Sequence, residues 1–145
     1  MGLLIAAGIL LLCFIATWLV LRRPVGQIVE DVRVERARAL FHRHREHLEA
    51  RFISTLEKAD PEEGLRWEAA HWDDEVLWAR DRHTHNLLAL TGVEFEPAPF
   101  ELSFGHSHAT AIFEFSNGQW CAQGKRVDEM RPEEAIGLFR RFETV

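Results

Sequence analysis

Six of the eight histidines in this 145-residue chain stand in His-x-His pairs: His42/His44, His83/His85 and His106/His108. Two imidazoles at i and i+2 on a strand point to one side of the sheet and can chelate a transition metal, whereas on a helix they diverge. The helical run around His42/His44 removes that pair and leaves His83, His85, His106 and His108 as the candidate metal ligands. His83/His85 falls in a turn-like stretch, and His106/His108 follows Gly105 at a strand entrance; exposed turn histidines are the ordinary occupants of such places. No Cys-x-x-Cys or His-Glu-x-x-His accompanies them. His44 lies near an apolar stripe, where a half-buried, hydrogen-bonded histidine is expected.

Carboxylates offer the second possible chemistry. Asp73, Asp74 and Glu75 are consecutive, and together with Asp81 and His71 they would form an acid/base cluster if a sheet brought them together. A solvated acidic loop accounts for the same residues. Trp67, Trp72, Trp78 and Trp120 either line a pocket or fill the core of a small domain. Ser103, Ser107, Ser116 and Cys121 have no nucleophile context, and a Cys in a strand is normally packing. No catalytic residue or cofactor is therefore expected, with a transition metal on the His pairs as the alternative.

The elements that must position these residues begin with an anchor. Residues Gly2 to Leu21 carry no charged side chain and are followed by Arg22-Arg23-Pro24. A run of about 20 apolar residues, at about 1.5 Å each, matches a hydrocarbon core of roughly 30 Å. Trp18 sits where an interfacial aromatic belongs. A cleavable secretory signal needs a basic start, a shorter apolar core and a small-x-small site, and Leu12 occupies the place where a lipoprotein site before Cys13 needs a small residue. Residues 1–23 are thus expected to form a retained transmembrane anchor, meeting lipid through residues 3–21.

Arg22, Arg23, Arg33, Arg36 and Arg38 all follow the run, which places the remainder on the cytoplasmic side by the positive-inside rule. With Cys13 in the apolar run and Cys121 alone beyond it, no disulfide can form within the soluble part. The formal charge of -6 divides unevenly: residues 22–58 hold nine basic and six acidic side chains, residues 59–145 eight basic and seventeen acidic. Basic groups beside a membrane attract anionic headgroups. The acidic remainder is a poor match for nucleic acid.

Residues 24–60 read as a long helix ending near Glu57, rich in Arg, Glu, Leu and Ala. At about 100° per residue, Val25, Ile28, Val29 and Val32 share one side while Ala37, Phe41, Leu48 and Phe52 point roughly opposite. The first half should meet the membrane surface or a partner, and the second should cover a domain core.

Residues 61–145 form the head. Asp60-Pro61-Glu62-Glu63 has the pattern of a helix start, with Leu65, Ala69, Trp72, Val76 and Leu87 as its stripe. The same stretch reads equally as strands at 65–67 and 76–80 with a turn at Arg82 to Asn86 and alternation from Leu87 to Glu96. The next hairpin is unambiguous. Ala109 to Phe115 alternates, Asn117-Gly118 is the preferred type I′ pair, and a two-residue loop sets Phe115 opposite Trp120 and Phe113 opposite Ala122. A short final helix is expected from Pro132, with Glu133 and Glu134 in its first turn, Arg140 and Arg141 near its end, and an apolar side of Ala135, Leu138, Phe139 and Phe142.

The pattern Val-Leu-Trp-Ala-Arg-Asp-x-x-Thr-x-x-Leu-x-Ala-Leu-x-Gly-Val-x-Phe-Glu, from Val76 to Glu96, resembles one found in an uncharacterised family of short bacterial proteins. Ala109-Thr-Ala-x-Phe, Asn-Gly-x-Trp, Gly124 and Pro132-x-Glu-Glu-Ala-Ile-x-x-Phe139 are similar to its carboxy-terminal part. The resemblance covers most of residues 64–142, implies a bacterial chain and carries no catalytic residues; with the expected anchor, the expected location is the bacterial inner membrane. It favours the strand reading. In that pattern Gly usually stands where this chain has His85, which makes a positive φ there harder to accommodate.

The expected architecture is α+β: a transmembrane helix, a long amphipathic helix packed on an antiparallel meander of about four strands, cystatin-like or NTF2-like in shape, and a short C-terminal helix. The expected function is a single-pass membrane protein whose cytoplasmic head binds another protein without catalysis, as an accessory or scaffold subunit. The alternative is a metal- or small-ligand-binding head.

Overall fold

The computed structural model describes residues 11, 14–15, 17–18, 25–59, 66–96 and 108–145, the side chains of 25–29, 66–69 and 96 excepted. Two units divide between Arg36 and Ala37. In the first, Leu11, Phe14, Ile15, Thr17 and Trp18 have helical backbone and are exposed. Most of the expected transmembrane run lies outside the described residues, and among those described no helix is long and apolar enough to cross a membrane.

Helix α1 spans Val25–Ala59 and contributes to both units. No proline and only Gly26 interrupt it, and its abundant Arg, Glu, Leu and Ala lose little side-chain entropy in a helix. Ala37, Phe41, Leu48 and Phe52 are buried as their spacing predicts, joined by Leu56, whereas Val32 is exposed. His44, expected half-buried, is exposed as well. It follows the apolar stripe in sequence but lies beyond the strip that the sheet covers.

Five antiparallel strands follow in the spatial order β4-β3-β2-β1-β5: β1 Arg66–Asp81, β2 Leu87–Glu96, β3 His108–Ser116, β4 Gln119–Asp128 and β5 Phe142–Thr144. The strand reading therefore holds against the helical one over the described residues 66–80, but the two expected strands are one bulged strand. Between β4 and β5, α2 (Pro132–Leu138) passes over the sheet. Because β4 and β5 are opposite edges, the intervening chain must cross a face, which brings Ala135 onto Leu88, Leu90 and Ile112.

The fifth strand corrects the expected four, and it also shortens the final helix. Glu134 accepts a hydrogen bond from the Arg131 N–H at 3.1 Å, and the helix ends at Leu138. Arg140 and Arg141 lie beyond that end, and Phe142 belongs to β5 rather than to the helix's apolar side. Pairing of Ala79, Arg80 and Asp81 with Thr144, Glu143 and Phe142 offers this segment backbone hydrogen bonds that a lengthened helix does not.

The main core lies between α1 and the sheet. Phe41 meets Trp78, Phe113 and Trp120 edge-on, with ring centroids 5.5, 5.4 and 5.0 Å away. Phe52 meets Trp72 at 5.6 Å. Ala89, Ala109, Ala111 and Ala122 supply a floor of small side chains beneath these rings. Large knobs over small partners let the two layers pack closely, and complete burial of a Phe contributes about 2–3 kcal/mol. Trp72, Trp78 and Trp120 are thus core residues, and the Trp120 indole N–H donates to the Ala37 carbonyl at 2.8 Å.

The β3–β4 hairpin begins in the expected register, Phe115 opposite Trp120 and Glu114 opposite Cys121. Asn117 and Gly118 take φ of +52° and +78°, as a type I′ turn requires. A bulge between Ile112 and Glu114 then shifts the pairing, so that Ile112 faces Lys125 and Phe113 has no simple partner in Ala122. Both still point into the main core.

Candidate functional site

The three consecutive carboxylates sit on a bulge of β1. Trp72 pairs with Val93 and Val76 with Thr91, so Asp73, Asp74 and Glu75 together face Gly92 alone. Surplus residues on one strand bend it and re-aim its side chains. Gly92 makes this bulge possible: a Cβ there would overlap the Asp73 carboxylate and stand 3.0 Å from its Cγ. From the opposite layer, Arg45 holds the bulge by donating to the main-chain carbonyls of Asp73 and, at 2.8 Å, Asp74. Glu49 pairs with Arg45 at 2.6 Å, one turn further along α1.

Beside the bulge is a cleft of about 440 Å³. Asp73, Asp74 and Glu75 form one wall, with Glu94 and His108 next to them across the β2–β3 pairing. Met130, Arg131, Pro132 and Glu133 close the other side, the half-buried Leu77 adds apolar surface, and the buried Val93 and Ala109 lie beneath. Hydrogen bonds from the Glu129 N–H to the His108 carbonyl at 3.0 Å and from the Thr110 hydroxyl to the Met130 carbonyl at 2.7 Å tie the second wall to β3. Among the described lining residues, five carboxylates against one guanidinium and one imidazole make the cleft receptive to cationic groups.

Asp81 and His71 do not join this group. His71 is exposed, opposite Glu94 in β1–β2 pairing. Asp81 lies at the far end of β1, where it organises the turn into β2. Its Oδ1 accepts the His83 N–H at 2.8 Å and the Thr84 N–H at 3.4 Å, while Oδ2 accepts from Arg141 Nε and Nη2 at 2.8 and 2.7 Å. Hydrogen bonding to Arg141 is the largest influence on this carboxyl; burial opposes it, the turn N–H groups assist it, and the result is about 2. Glu114 is held below the ordinary carboxylate range by hydrogen bonds from Asn86 and Lys125, at 2.7 and 2.9 Å.

Of the four candidate metal ligands, the three that are described are not brought to one place. His83 and His85 are exposed in the β1–β2 turn, whereas His108 begins β3 opposite Glu94. Leu87, beside the turn, and Glu94 are seven positions apart on β2, about 23 Å. His106 lies outside the described residues. Among those described, no three His, Cys, Asp or Glu side chains are grouped to hold a metal ion. His85 has φ of +58°, so the turn imposes on a histidine the conformation for which Gly is suited. The Asp81 carboxylate and the His85 N–H bond to the Asp81 carbonyl at 2.7 Å hold it there.

Sequence reasoning did not single out Arg45, Glu94 or Arg131, and it read Glu133 and Arg141 only as charges at the two ends of the final helix. Gly92 inside an alternating strand was the available signal for the cleft, because such a glycine marks a bulge or a close approach. Comparison with protein-family models, curated proteins and solved structures gives no match.

Proposed function

We propose that this chain is a single-pass protein of the bacterial inner membrane whose cytoplasmic α+β head is a non-catalytic protein-binding module, the cleft receiving a basic segment of its partner. One observation carries the reading: Asp73, Asp74 and Glu75 are presented by a bulge clamped through its own backbone by Arg45, opposite Glu94 and Glu133. A backbone fixed in this way loses little freedom when its carboxylates meet Lys or Arg, and the half-buried Leu77 offers apolar surface to the aliphatic stems of those side chains. The anchor rests on the uncharged run Gly2 to Leu21 and the arginines after it, and on the exposed apolar residues Leu11, Phe14, Ile15 and Trp18. A helix laid across a meander is also the shape of cystatin-like and NTF2-like domains, an analogy of form only.

Gentle solubilisation of the full-length protein from its native membrane tests this. A stoichiometric partner should copurify, be lost from an Asp74→Lys/Glu75→Lys variant, and persist in His83→Gln and His85→Gln variants. Retention of the partner by the charge-reversed protein refutes the assignment of the cleft.

A small-ligand or metal-binding head is the second reading, and His108 on the cleft wall favours it. Stoichiometric metal in the purified protein, lost in a His106→Ala variant, would replace the first reading with this one.

A further inference from the structure

Two turns meet at the end of the head where α1 enters it. The Arg82 N–H donates to the Arg141 carbonyl at 2.9 Å, which joins the β1–β2 turn to the segment between α2 and β5. Within that segment the Phe142 N–H returns to the Phe139 carbonyl at 3.0 Å, and the two rings stack with centroids 5.5 Å apart. The C-terminal strand is fastened to the same end, with Arg38 donating to the Val145 carbonyl at 2.8 Å.

The composition of this surface is unlike that of the rest of the head. Residues 59–145 carry more than twice as many acidic as basic side chains, yet residues 82–85 and 138–142 contain Arg82, Arg140 and Arg141 and no acid. Of the flanking acids, Asp81 is buried against Arg141 and the exposed Glu143 lies 4.0 Å from Arg82, so with both acids counted the surface still carries a net positive charge. Beside the arginines, Leu138 and Phe139 leave 63% and 38% of their surface in water, and Val145, fastened to the same end, leaves 46%; the other large apolar side chains among the described residues of the head are buried or half-buried. Exposed apolar residues interleaved with arginines are the composition of a surface that rests on an anionic bilayer: guanidinium groups pair with lipid phosphates, and the apolar side chains enter the headgroup layer.

We infer that the turn pair Arg82–His85 and Leu138–Phe142 docks the head onto anionic phospholipid. The sequence supplies the proximity, since only sixteen residues lie between Leu21 and Arg38, at most about 60 Å of chain. The inference rests on the membrane-anchored reading, and the cleft, being acidic, is left free for its partner.

The test uses the full-length protein in lipid nanodiscs of phosphatidylcholine alone or with phosphatidylglycerol. A polarity-sensitive fluorophore is placed at Gly137→Cys in a Cys13→Ser/Cys121→Ser background; nothing lies within 4 Å of a Cβ at Gly137. A second probe at Glu75→Cys serves as the control. Docking predicts a blue-shifted emission at position 137, quenched by nitroxide-labelled lipid, in anionic discs only and weakened by salt. An Arg82→Gln/Arg140→Gln variant, which leaves the Asp81–Arg141 pair in place, should lower the ratio of docked to undocked heads by about 30-fold. Equal exposure to water in both kinds of disc overturns the inference. Shielding that is indifferent to lipid charge and to the two arginines overturns it too, and points to a protein contact. Loss of the protein from the discs under an alkaline wash refutes the anchor instead; phosphatidylglycerol vesicles added to the freed protein then decide docking by the same emission shift, whose absence overturns it.

Discussion

Asp81→Asn isolates one charge in a turn that otherwise keeps its shape. The amide oxygen of Asn can still accept the His83 and Thr84 N–H groups, which Asp81 holds at 2.8 and 3.4 Å. What disappears is the charge facing Arg141, whose nitrogens lie 2.8 and 2.7 Å from Oδ2. A carboxyl held at about 2 in the fold against 3.8 when unfolded stabilises the native state by up to about 2.5 kcal/mol at neutral pH. The Arg141 side chain is 53% exposed, and solvent screening reduces the contribution of Asp81 to about 1–2 kcal/mol. Because the folded value is the lower one, this stability is present above about pH 4 and is lost as pH falls toward 2. Urea unfolding of the full-length protein in detergent, followed by tryptophan fluorescence, should show Asp81→Asn less stable by that amount at pH 7. The gap should close progressively between about pH 4 and 2, and Arg141→Gln should remove most of this pH dependence. Wild type and Asp81→Asn losing stability in parallel over that range would refute the electrostatic account of the turn.

Phe41→Ala, which empties a fully buried site ringed by Trp78, Phe113 and Trp120, should cost about 3–5 kcal/mol in the same unfolding assay. His85→Gly relieves a φ of +58° and should stabilise the protein by about 1 kcal/mol, read as a higher Tm. Gly92→Ala forces the Asp73 carboxylate aside and should destabilise the wild type. In an Asp73→Ala background the same substitution should instead stabilise by about 0.5–1 kcal/mol, the conformational gain of Ala over Gly in a strand. Equal effects of Gly92→Ala in both backgrounds contradict the packing of Asp73 over Gly92.

Local signals were legible where they were strong. Asn117-Gly118 between alternating apolar residues specified the β3–β4 turn and its first pairs, because positive φ at both turn positions and the period of two favour the same register. Ala37, Phe41, Leu48 and Phe52 announced the buried face of α1 through helical spacing. Gly124, at φ +70° with Thr55 Cγ2 3.2 Å from where its Cβ would be, belongs to the bulged stretch of β4, which alternation alone does not reveal. The cleft was half legible: Asp73 to Glu75 stood out as a group, but their companions Glu94, His108 and Glu133 come from three other stretches of chain.

By itself, the sequence determined an α+β chain with a long helix, the central hairpin and an uncharged amino-terminal run, since propensity, periodicity and turn chemistry act over a few residues. Tertiary structure decided what depends on distant partners. The segment after Leu138 becomes β5 because Ala79 to Asp81 offer it an open edge and Asp81 a charge for Arg141. The acidic run becomes a cleft wall, not a loop, because Arg45 reaches across from α1 and Gly92 leaves space for Asp73. Those contacts join residues tens of positions apart, and no local pattern encodes a pairing whose two halves each look unremarkable alone.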